Sequence, residues 1–447
     1  MHANQKTVIL GAGESGTGAA LLARSRGLEV FVSDQSPIKE KYRNELIVNG
    51  IRFEEGGHSV NLLENTVEII KSPGIPDSAP LIREANEKSI PVISEIEFAS
   101  RYTTATNICV TGSNGKTTTT SLIWHILHTA GLNAGLAGNV GSSFARQIAG
   151  QENDIYALEL SSFQLDGMSN FRADTAILLN ITPDHLDRYE NDLNKYAASK
   201  MRIIRNQTAD NAFIWCCDDV LSSEMMKNTR LHQQVFRISL YEQGHEGAFI
   251  EDNKIIFNIK GETFSMTIEE LALQGKHNIY NSMAAGVAAK LVGIRKETIR
   301  QCLSDFQHVE HRLEHVANIH GIEFINDSKA TNINSAWWAL ESQNKPVIWI
   351  AGGIDKGNDY TKLYDVVKSR VKALICLGVD NRPLIEAFRD IIPVITETRS
   401  AADAVNAAYY LAQKDDVVLL APACASFDLF ENYEDRGRQF KAAVHAL

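Results

Sequence analysis

The sequence predicts an α/β protein of three domains, each organised around a sheet whose strands alternate with helices. Three observations carry that expectation. Short apolar runs ending in glycine-rich or polar loops alternate with helical segments along most of the chain, as strand–helix–strand units do. Two glycine loops, one at Gly11–Gly16 and one at Gly112–Gly115, each separate a strand from a helix, so two nucleotide-binding units are expected and not one. At 447 residues the chain is too long for a single ordinary core.

Composition narrows the class of function. Hydrophobic residues at 44% and charged residues at 22% are ordinary for a globular protein, and a net charge of -11 argues against a broad nucleic-acid or anionic-membrane surface. A local basic pocket for phosphates remains compatible with it. The six cysteines, at 109, 216, 217, 302, 376 and 424, show no metal-ligand spacing and read as reduced core residues. The apolar run Val8-Ile9-Leu10 is far short of a signal sequence, and no stretch approaches a membrane span. A cytoplasmic, monomeric protein acting on small molecules is expected.

The first domain, 1–93, opens with a strand over Thr7–Leu10 that runs into Gly11-Ala12-Gly13-Glu14-Ser15-Gly16, a helix through Arg26, and a second strand ending at Asp34. This is the dinucleotide fingerprint of a Rossmann-like unit: Ser15 and Gly16 lie where a pyrophosphate is held, and Asp34 lies where an acid meets a ribose. Taken alone it suggests NAD. A strand over 67–71 leads to Ser72-Pro73-Gly74-Ile75-Pro76, whose prolines fix an extended, exposed loop that is either a plain turn or a substrate contact through Ser72.

The central domain, 94–308, carries the most specific signal. The strand Ile108-Cys109-Val110 stops at Thr111-Gly112-Ser113-Asn114-Gly115-Lys116-Thr117-Thr118, and a helix with Leu122, Ile123, Ile126 and Leu127 on one face follows. Loop amides and the free first-turn amides of that helix converge on an anion. Gly112 and Gly115 allow close backbone approach, Asn114 and Thr118 flank the phosphates, Lys116 faces the β- and γ-phosphates, and the Thr117 hydroxyl suits a Mg²⁺ shell. The usual spacing places a glycine where this chain has Val110.

Downstream, Asn139 sits in the glycine-dense stretch 135–141, and the strand 155–160 delivers Glu159 beside Ser161. An acid at a strand tip next to a phosphate loop is where a Mg²⁺ ligand belongs. His185 follows the strand 176–180, and Lys200 comes fifteen residues later. Residues 247–266 read as an antiparallel hairpin insert. The helix starting near Gly275 presents Asn278, a cap or a base contact, and Asn281.

The third domain, 309–447, has strands at 322–325, 346–350, 373–377, 394–396 and 417–420 alternating with helices, which means a second Rossmann-like, parallel sheet. Polar residues gather at the strand ends: Asp327, Lys329 and Thr331, then Lys356, then Ser426, with Arg312 and Tyr433 flanking them.

The stretch Thr111–Thr118, together with His185, the run 195–204 and the loop 422–430, resembles the Mur ligases and folylpolyglutamate synthases, which form amide bonds at the expense of ATP. The resemblance covers nearly the whole chain and is most specific over 111–202 and 311–436. It implies that the first domain holds a UDP-sugar and no NAD, with Ser15, Gly16, Asp34 and Ser72 as contacts, joined by Asn139 and Ser161. It also implies that Lys200 is carbamylated and that Thr117, Glu159, His185 and Lys200 serve two Mg²⁺ sites.

By the same resemblance Asn281 faces adenine, Arg312 reaches the ATP phosphates and Asp327 holds the ribose. Lys329, Thr331, Lys356 and Ser426 surround the incoming amino acid, with Tyr433 near its side-chain carboxylate. The expected reaction joins D-glutamate to UDP-N-acetylmuramoyl-L-alanine through an acyl phosphate, with Lys116, His185 and Lys200 at its centre and domain closure excluding water. The Asp34 loop lacks an arginine that some relatives place near the uracil. A folylpolyglutamate synthase, the alternative within the class, should lack the N-terminal glycine turn. An oxidoreductase leaves Lys116, Glu159 and Lys200 idle, and a regulatory GTPase needs an Asn-Lys-x-Asp motif that does not appear in this chain.

Overall fold

The first glycine turn lies at the edge of a five-stranded parallel sheet made by β1 (Lys6–Leu10), β2 (Val30–Asp34), β3 (Arg52–Glu55), β4 (Thr66–Lys71) and β5 (Val92–Ser94), in the order β3-β2-β1-β4-β5. The order reverses on either side of β1, so the turn after β1 opens at a switch point, where such sheets bind ligands. Val8 and Leu10 pack on one face, Ile9 and Val32 on the other, and the sheet is covered on both sides. The computed structural model describes residues 5–306, 311 and 313–447, in two units, Met1–Phe306 and Gln307–Leu447.

The same first unit contains a nine-stranded sheet. Its strands are β6 (Thr106–Thr111), β7 (Ala134–Gly138), β8 (Ile155–Glu159), β9 (Thr175–Leu178), β10 (Ala212–Cys216), β11 (Gln234–Ser239), β12 (Gly247–Glu251), β13 (Lys254–Ile259) and β14 (Glu262–Thr267), in the order β14-β13-β12-β11-β10-β9-β6-β8-β7. The strand carrying the phosphate loop, β6, is flanked by β8 and β9, so Glu159 and the residues after Leu178 are delivered to the same edge. The 247–266 region differs from the expected hairpin. It is a three-stranded meander, β12 pairing antiparallel with β13 and β13 with β14, and β12 joins the main sheet by pairing parallel with β11. Turn signals mark where strands reverse, but they do not say which strand edge stays free for a neighbour.

One apolar cluster runs from Ile9, Val32 and Ile70 of the first sheet through Phe98 and Phe144 to Cys109, Leu158 and Leu178 of the second. Where the two sheets meet, the helices Glu14–Ser25 and Phe144–Ala149 approach so closely that a Cβ on Gly18 would fall 2.0 Å from Ser143 Oγ. Glu14 fixes the contact by accepting Ser143 N at 3.0 Å and Arg146 Nε at 2.7 Å, while Arg146 also reaches Glu45 at 2.9 Å.

Beneath them Glu95 is 2% exposed; it accepts Ala145 N through Oε1, and its buried Oε2 has no hydrogen-bond partner. Burial pushes this carboxyl up to about 8, against the opposing effect of the Ala145 amide. A proton held more tightly in the folded state contributes stability that is complete below the unfolded value, 4.5, and is lost as pH rises through the folded one. Between those limits the melting temperature is expected to fall with rising pH. Glu95→Gln, which cannot ionise, should flatten that fall and melt higher than wild type above about pH 8. Parallel melting-temperature curves for the two proteins would remove this assignment.

The second unit is built on six strands, β15 (Glu314–Ile319), β16 (Ile322–Asn326), β17 (Val347–Ala351), β18 (Val371–Leu377), β19 (Val394–Thr398) and β20 (Val417–Leu420), ordered β15-β16-β20-β17-β18-β19. All the pairs are parallel except β15 with β16. Val347, Trp349 and Ala351 pack on one face, and Ile348 and Ile350 on the other, so continuous apolar runs reflect burial on both sides. The antiparallel edge strand β15 was not expected. Its residues are only half-buried or exposed, which erases the apolar signal.

Candidate active site

The loop after β6 turns into the helix Lys116–Thr129 through Gly115, whose φ of 84° is left-handed and whose missing Cβ would fall 2.4 Å from Asn281 Oδ1. Only glycine satisfies both demands. The loop is braced from the neighbouring strand β9: Asn180 Oδ1 accepts Asn114 N at 2.9 Å, Asn180 Nδ2 donates to Asn114 O at 3.1 Å, and Ser113 Oγ donates to Thr182 O at 2.8 Å. Asn180 escaped sequence reasoning, although its place just past a strand flanking the phosphate loop was a usable signal.

Lys116 Nζ donates to the carbonyls of Gly112 and Ser113, both at 2.8 Å, and so stands over the loop. Thr117 donates its hydroxyl to Glu159 Oε2 at 2.5 Å, and Asn139 Nδ2 donates to Glu159 Oε1 at 2.9 Å. Glu159, 1% exposed, therefore joins the phosphate loop to the Asn139 loop. A hydroxyl and a carboxylate form an all-oxygen donor set that suits a hard cation such as Mg²⁺. Thr118 Oγ1 is buried without a hydrogen-bond partner beside that donor set, so these residues fit a nucleotide phosphate chain with its metal.

Lys200 approaches from below. The helix Leu193–Met201 buries its side chain to 1% exposure against the Tyr196 ring, with Nζ 4.6 Å from the ring centroid and 2.8 Å from Gly112 O, the carbonyl that Lys116 also uses. Burial, and then the nearby charge of Lys116, hold this amine well below its ordinary pKa. His185 occupies a left-handed position before a short 3₁₀ turn; its Nε2 lies 3.7 Å from Asp184 Oδ2, and its ring meets Phe163 edge-on. Asn281 is 2% exposed; it accepts the Thr119 hydroxyl at 3.2 Å and donates to Asn278 at 3.1 Å. Asn278 is not the helix cap; Gly275 is, and Asn278 bonds back to Gln274 O at 2.9 Å.

At the first glycine turn, Asp34 accepts Ala12 N at 2.7 Å and Ser36 N at 2.9 Å, which shapes the loop around Ser15 and Gly16. Ser72 Oγ donates to Gly11 O at 3.3 Å. The proline loop is less exposed than expected: Lys71 donates to Ile75 O at 2.9 Å, and Arg188 of the 3₁₀ turn after His185 reaches the carbonyls of Gly74 and Ile75. Ser161 caps the helix Ser162–Asp166 in a reciprocal box with Gln164.

In the second unit Asp327 and Ser426 are 4% and 2% exposed, Thr331 is half-buried and Lys356 is exposed. Lys329 Nζ lies 3.2 Å from Tyr433 Oη and stands over that ring. Arg312 lies outside the described residues. Arg436, which sequence reasoning missed, is 1% exposed and donates to Ser328 Oγ, Ser328 O, Gly352 O and Cys424 O. One guanidinium thus ties together the three loops at the strand ends. Burial lowers its pKa to about 10. Its only sequence trace is a charge on the apolar face of the last helix.

Family models match in chain order: a Mur ligase MurD-like N-terminal domain over residues 5–94, a Mur ligase middle domain over 110–289 and a Mur ligase glutamate ligase domain over 311–424. The chain is 52% identical to the UDP-N-acetylmuramoylalanine–D-glutamate ligase of Bacteroides fragilis, over 99% of this chain and 100% of that one. It is 40% identical to the enzyme of the same name from Salinibacter ruber, over 99% and 98%. Among solved structures, the UDP-N-acetylmuramate-alanine ligase of Thermotoga maritima superposes with a TM-score of 0.64 at 17% identity, covering 99% of this chain and 100% of that one. The MurF ligase of Thermotoga maritima in complex with ADP gives 0.60 at 14% identity, over 95% and 99%.

Proposed function

The chain belongs to the Mur ligase family, whose members are ATP-dependent, ADP-forming amide ligases, and from that premise we propose that it adds D-glutamate to UDP-N-acetylmuramoyl-L-alanine in cytoplasmic peptidoglycan precursor synthesis. The observation that carries this reading is the convergence of Lys116, Thr117, Glu159 and Lys200 on one loop edge, within a chain about half identical over its length to enzymes of that name. In the reaction, the carboxylate of the alanyl group attacks the γ-phosphorus of ATP, ADP departs, and the amine of D-glutamate displaces phosphate from the acyl phosphate to leave an amide.

The chain's residues take distinct parts. Lys116 and the loop amides hold the β- and γ-phosphates and offset the repulsion between two anions brought together. Thr117 and Glu159 hold Mg²⁺, which supplies charge neutralisation at the transferring phosphoryl group when bound. Lys200, carbamylated, offers oxygen in place of nitrogen and with His185 serves a second cation site. Asn281 faces the adenine side. Ser15, Gly16, Asp34, Ser72, Asn139 and Ser161 line the path of the UDP-sugar, while Lys329, Thr331, Lys356, Ser426 and Tyr433 receive the amino acid. Asp327 and Arg312 attend the nucleotide.

The proposed domains are 1–93, 94–308 and 309–447, acting as a monomer. Among the described residues no helix is long and apolar enough to cross a membrane.

Phosphate release from ATP tests the reading directly. Release is expected only when UDP-N-acetylmuramoyl-L-alanine and D-glutamate are both present, and the product should carry a new amide. Equal release with L-glutamate and a folate, or with another UDP-muramoyl precursor and its amino acid, would replace this substrate assignment.

A further inference from the structure

Away from the phosphate loop, two packed helices bring together three side chains of metal-binding type. His125 comes from the helix Lys116–Thr129, and Cys302 and Asp305, three residues apart on one face, come from the helix Lys296–Asp305. One ligand atom from each lies within 4.8 Å of the other two, the one such grouping of His, Cys, Asp and Glu among the described residues. His125 Nε2 stands 3.2 Å from Asp305 Oδ1. Two ligands bound to Zn²⁺ at about 2.0–2.1 Å in a tetrahedron are about 3.3 Å apart, so this edge is already formed.

Cys302 is 0% exposed, and burial raises the pKa of its thiol, against the opposing effect of Thr129 one helical turn beyond His125, so the metal itself must displace the thiol proton. Phe306 packs its ring 5.4 Å from the His125 ring. The His125 and Asp305 side chains are 31% and 50% exposed, which leaves one side open for entry of an ion and for a water ligand.

We propose that His125, Cys302 and Asp305 form a Zn²⁺ site, completed by solvent, that cross-links the helix beginning at Lys116 to the helix that ends the first unit. A thiolate beside an imidazole selects zinc-like ions over Mg²⁺ and Ca²⁺, which prefer oxygen. As the S–Zn bond forms, the Cys302 thiol proton passes to solvent, and His125 and Asp305 exchange their mutual contact for bonds to the metal. Because α-helical register fixes both sides, an ion here would hold the phosphate-loop helix against the last helix before residue 307. The site is separate from the Mg²⁺ ligands and stands whether or not the proposed reaction does.

Titrating Co²⁺ into the purified full chain in excess Mg²⁺ gives a direct readout. One equivalent should produce tetrahedral visible bands together with a thiolate-to-cobalt charge-transfer band in the near ultraviolet, and Zn²⁺ should bleach both and raise the melting temperature. Cys302→Ser should abolish the charge-transfer band. Since that buried change can disturb folding, His125→Ala and Asp305→Asn, at more exposed positions, should each weaken Co²⁺ binding by at least about a hundredfold, since loss of a partner that only supports a ligand already costs about 10–100-fold. Their metal-free melting temperatures should stay near wild type. Absence of a charge-transfer band at saturating Co²⁺, or its undiminished persistence in His125→Ala and Asp305→Asn, would overturn the site.

Discussion

Lys200→Ala is expected to lower kcat for amide-bond formation by about 10²–10³, as loss of a group that stabilises charge in the transition state does, while the protein stays folded. The expectation follows from where the amine sits. It is buried to 1% exposure, lies over an aromatic ring and shares a carbonyl with a second lysine, so burial and then Lys116 hold it well below its ordinary pKa. A lysine kept neutral is a nucleophile: its nitrogen adds to CO₂, loses a proton and becomes a carbamate anion. That change replaces a poorly solvated potential cation beside Lys116 with an anion, and it turns a repulsive neighbour into an attractive one.

Two further results should accompany the loss. Enzyme stripped of CO₂ should lose activity and regain it with bicarbonate, and labelled bicarbonate should give a carbamate carbon resonance absent from Lys200→Ala. Formate or acetate, small enough to enter the space left by the side chain, should restore part of the activity to the alanine variant. Lys200→Arg, always charged, should be neither active nor rescued. Turnover of Lys200→Ala within about threefold of wild type would end the assignment, since that difference is well under 1 kcal/mol.

Much of this arrangement could be read from the sequence because the chemistry sits in local motifs. The phosphate loop, the acid at the end of β8 and the glycine turn after β1 are each a strand end followed by a helix, and strand–loop–helix order is written in short-range periodicity. What could not be read depends on tertiary neighbours. Asn180 braces Asn114 across two strands, and although its place just past a strand is visible in the sequence, the partner it holds is not. Arg436 gathers three loops from a helix at the far end of the chain, where a charge on an apolar face looks like an error in the pattern until its four acceptors are seen.

The meander at β12–β14 shows the same limit from another side. Its turns were legible, but its attachment to the main sheet was not, because pairing of β12 with β11 or with nothing leaves the alternation of side chains unchanged. Asp34 was legible as the acid that ends β2. Its two backbone amide contacts show that it also shapes the glycine turn.

Glu159→Gln isolates charge from shape at the centre of the site and is expected to lower kcat by about 10²–10³, about 2.7–4 kcal/mol of transition-state stabilisation. The glutamine keeps the volume, and its carbonyl oxygen can still accept from Thr117 or Asn139, which the carboxylate now bridges at 2.5 and 2.9 Å. What it removes is the negative charge that a divalent ion needs at a site where the remaining protein donor is a neutral hydroxyl. The Mg²⁺ concentration for half-maximal rate should therefore rise steeply, and excess Mg²⁺ should recover part of the rate, whereas the KM for D-glutamate should stay near wild type.

Stability should move the other way or not at all. A carboxylate 1% exposed carries a desolvation penalty that contacts such as those from Thr117 and Asn139 only partly offset, so the neutral isostere is expected to melt no lower than wild type when Mg²⁺ is chelated. With Mg²⁺ present, wild type gains the stabilisation of a bound ion and the variant gains less, so the order of melting temperatures should reverse. If Glu159→Gln leaves both kcat and the Mg²⁺ requirement unchanged, the carboxylate serves only to hold the Asn139 loop, and the cation must be bound without it.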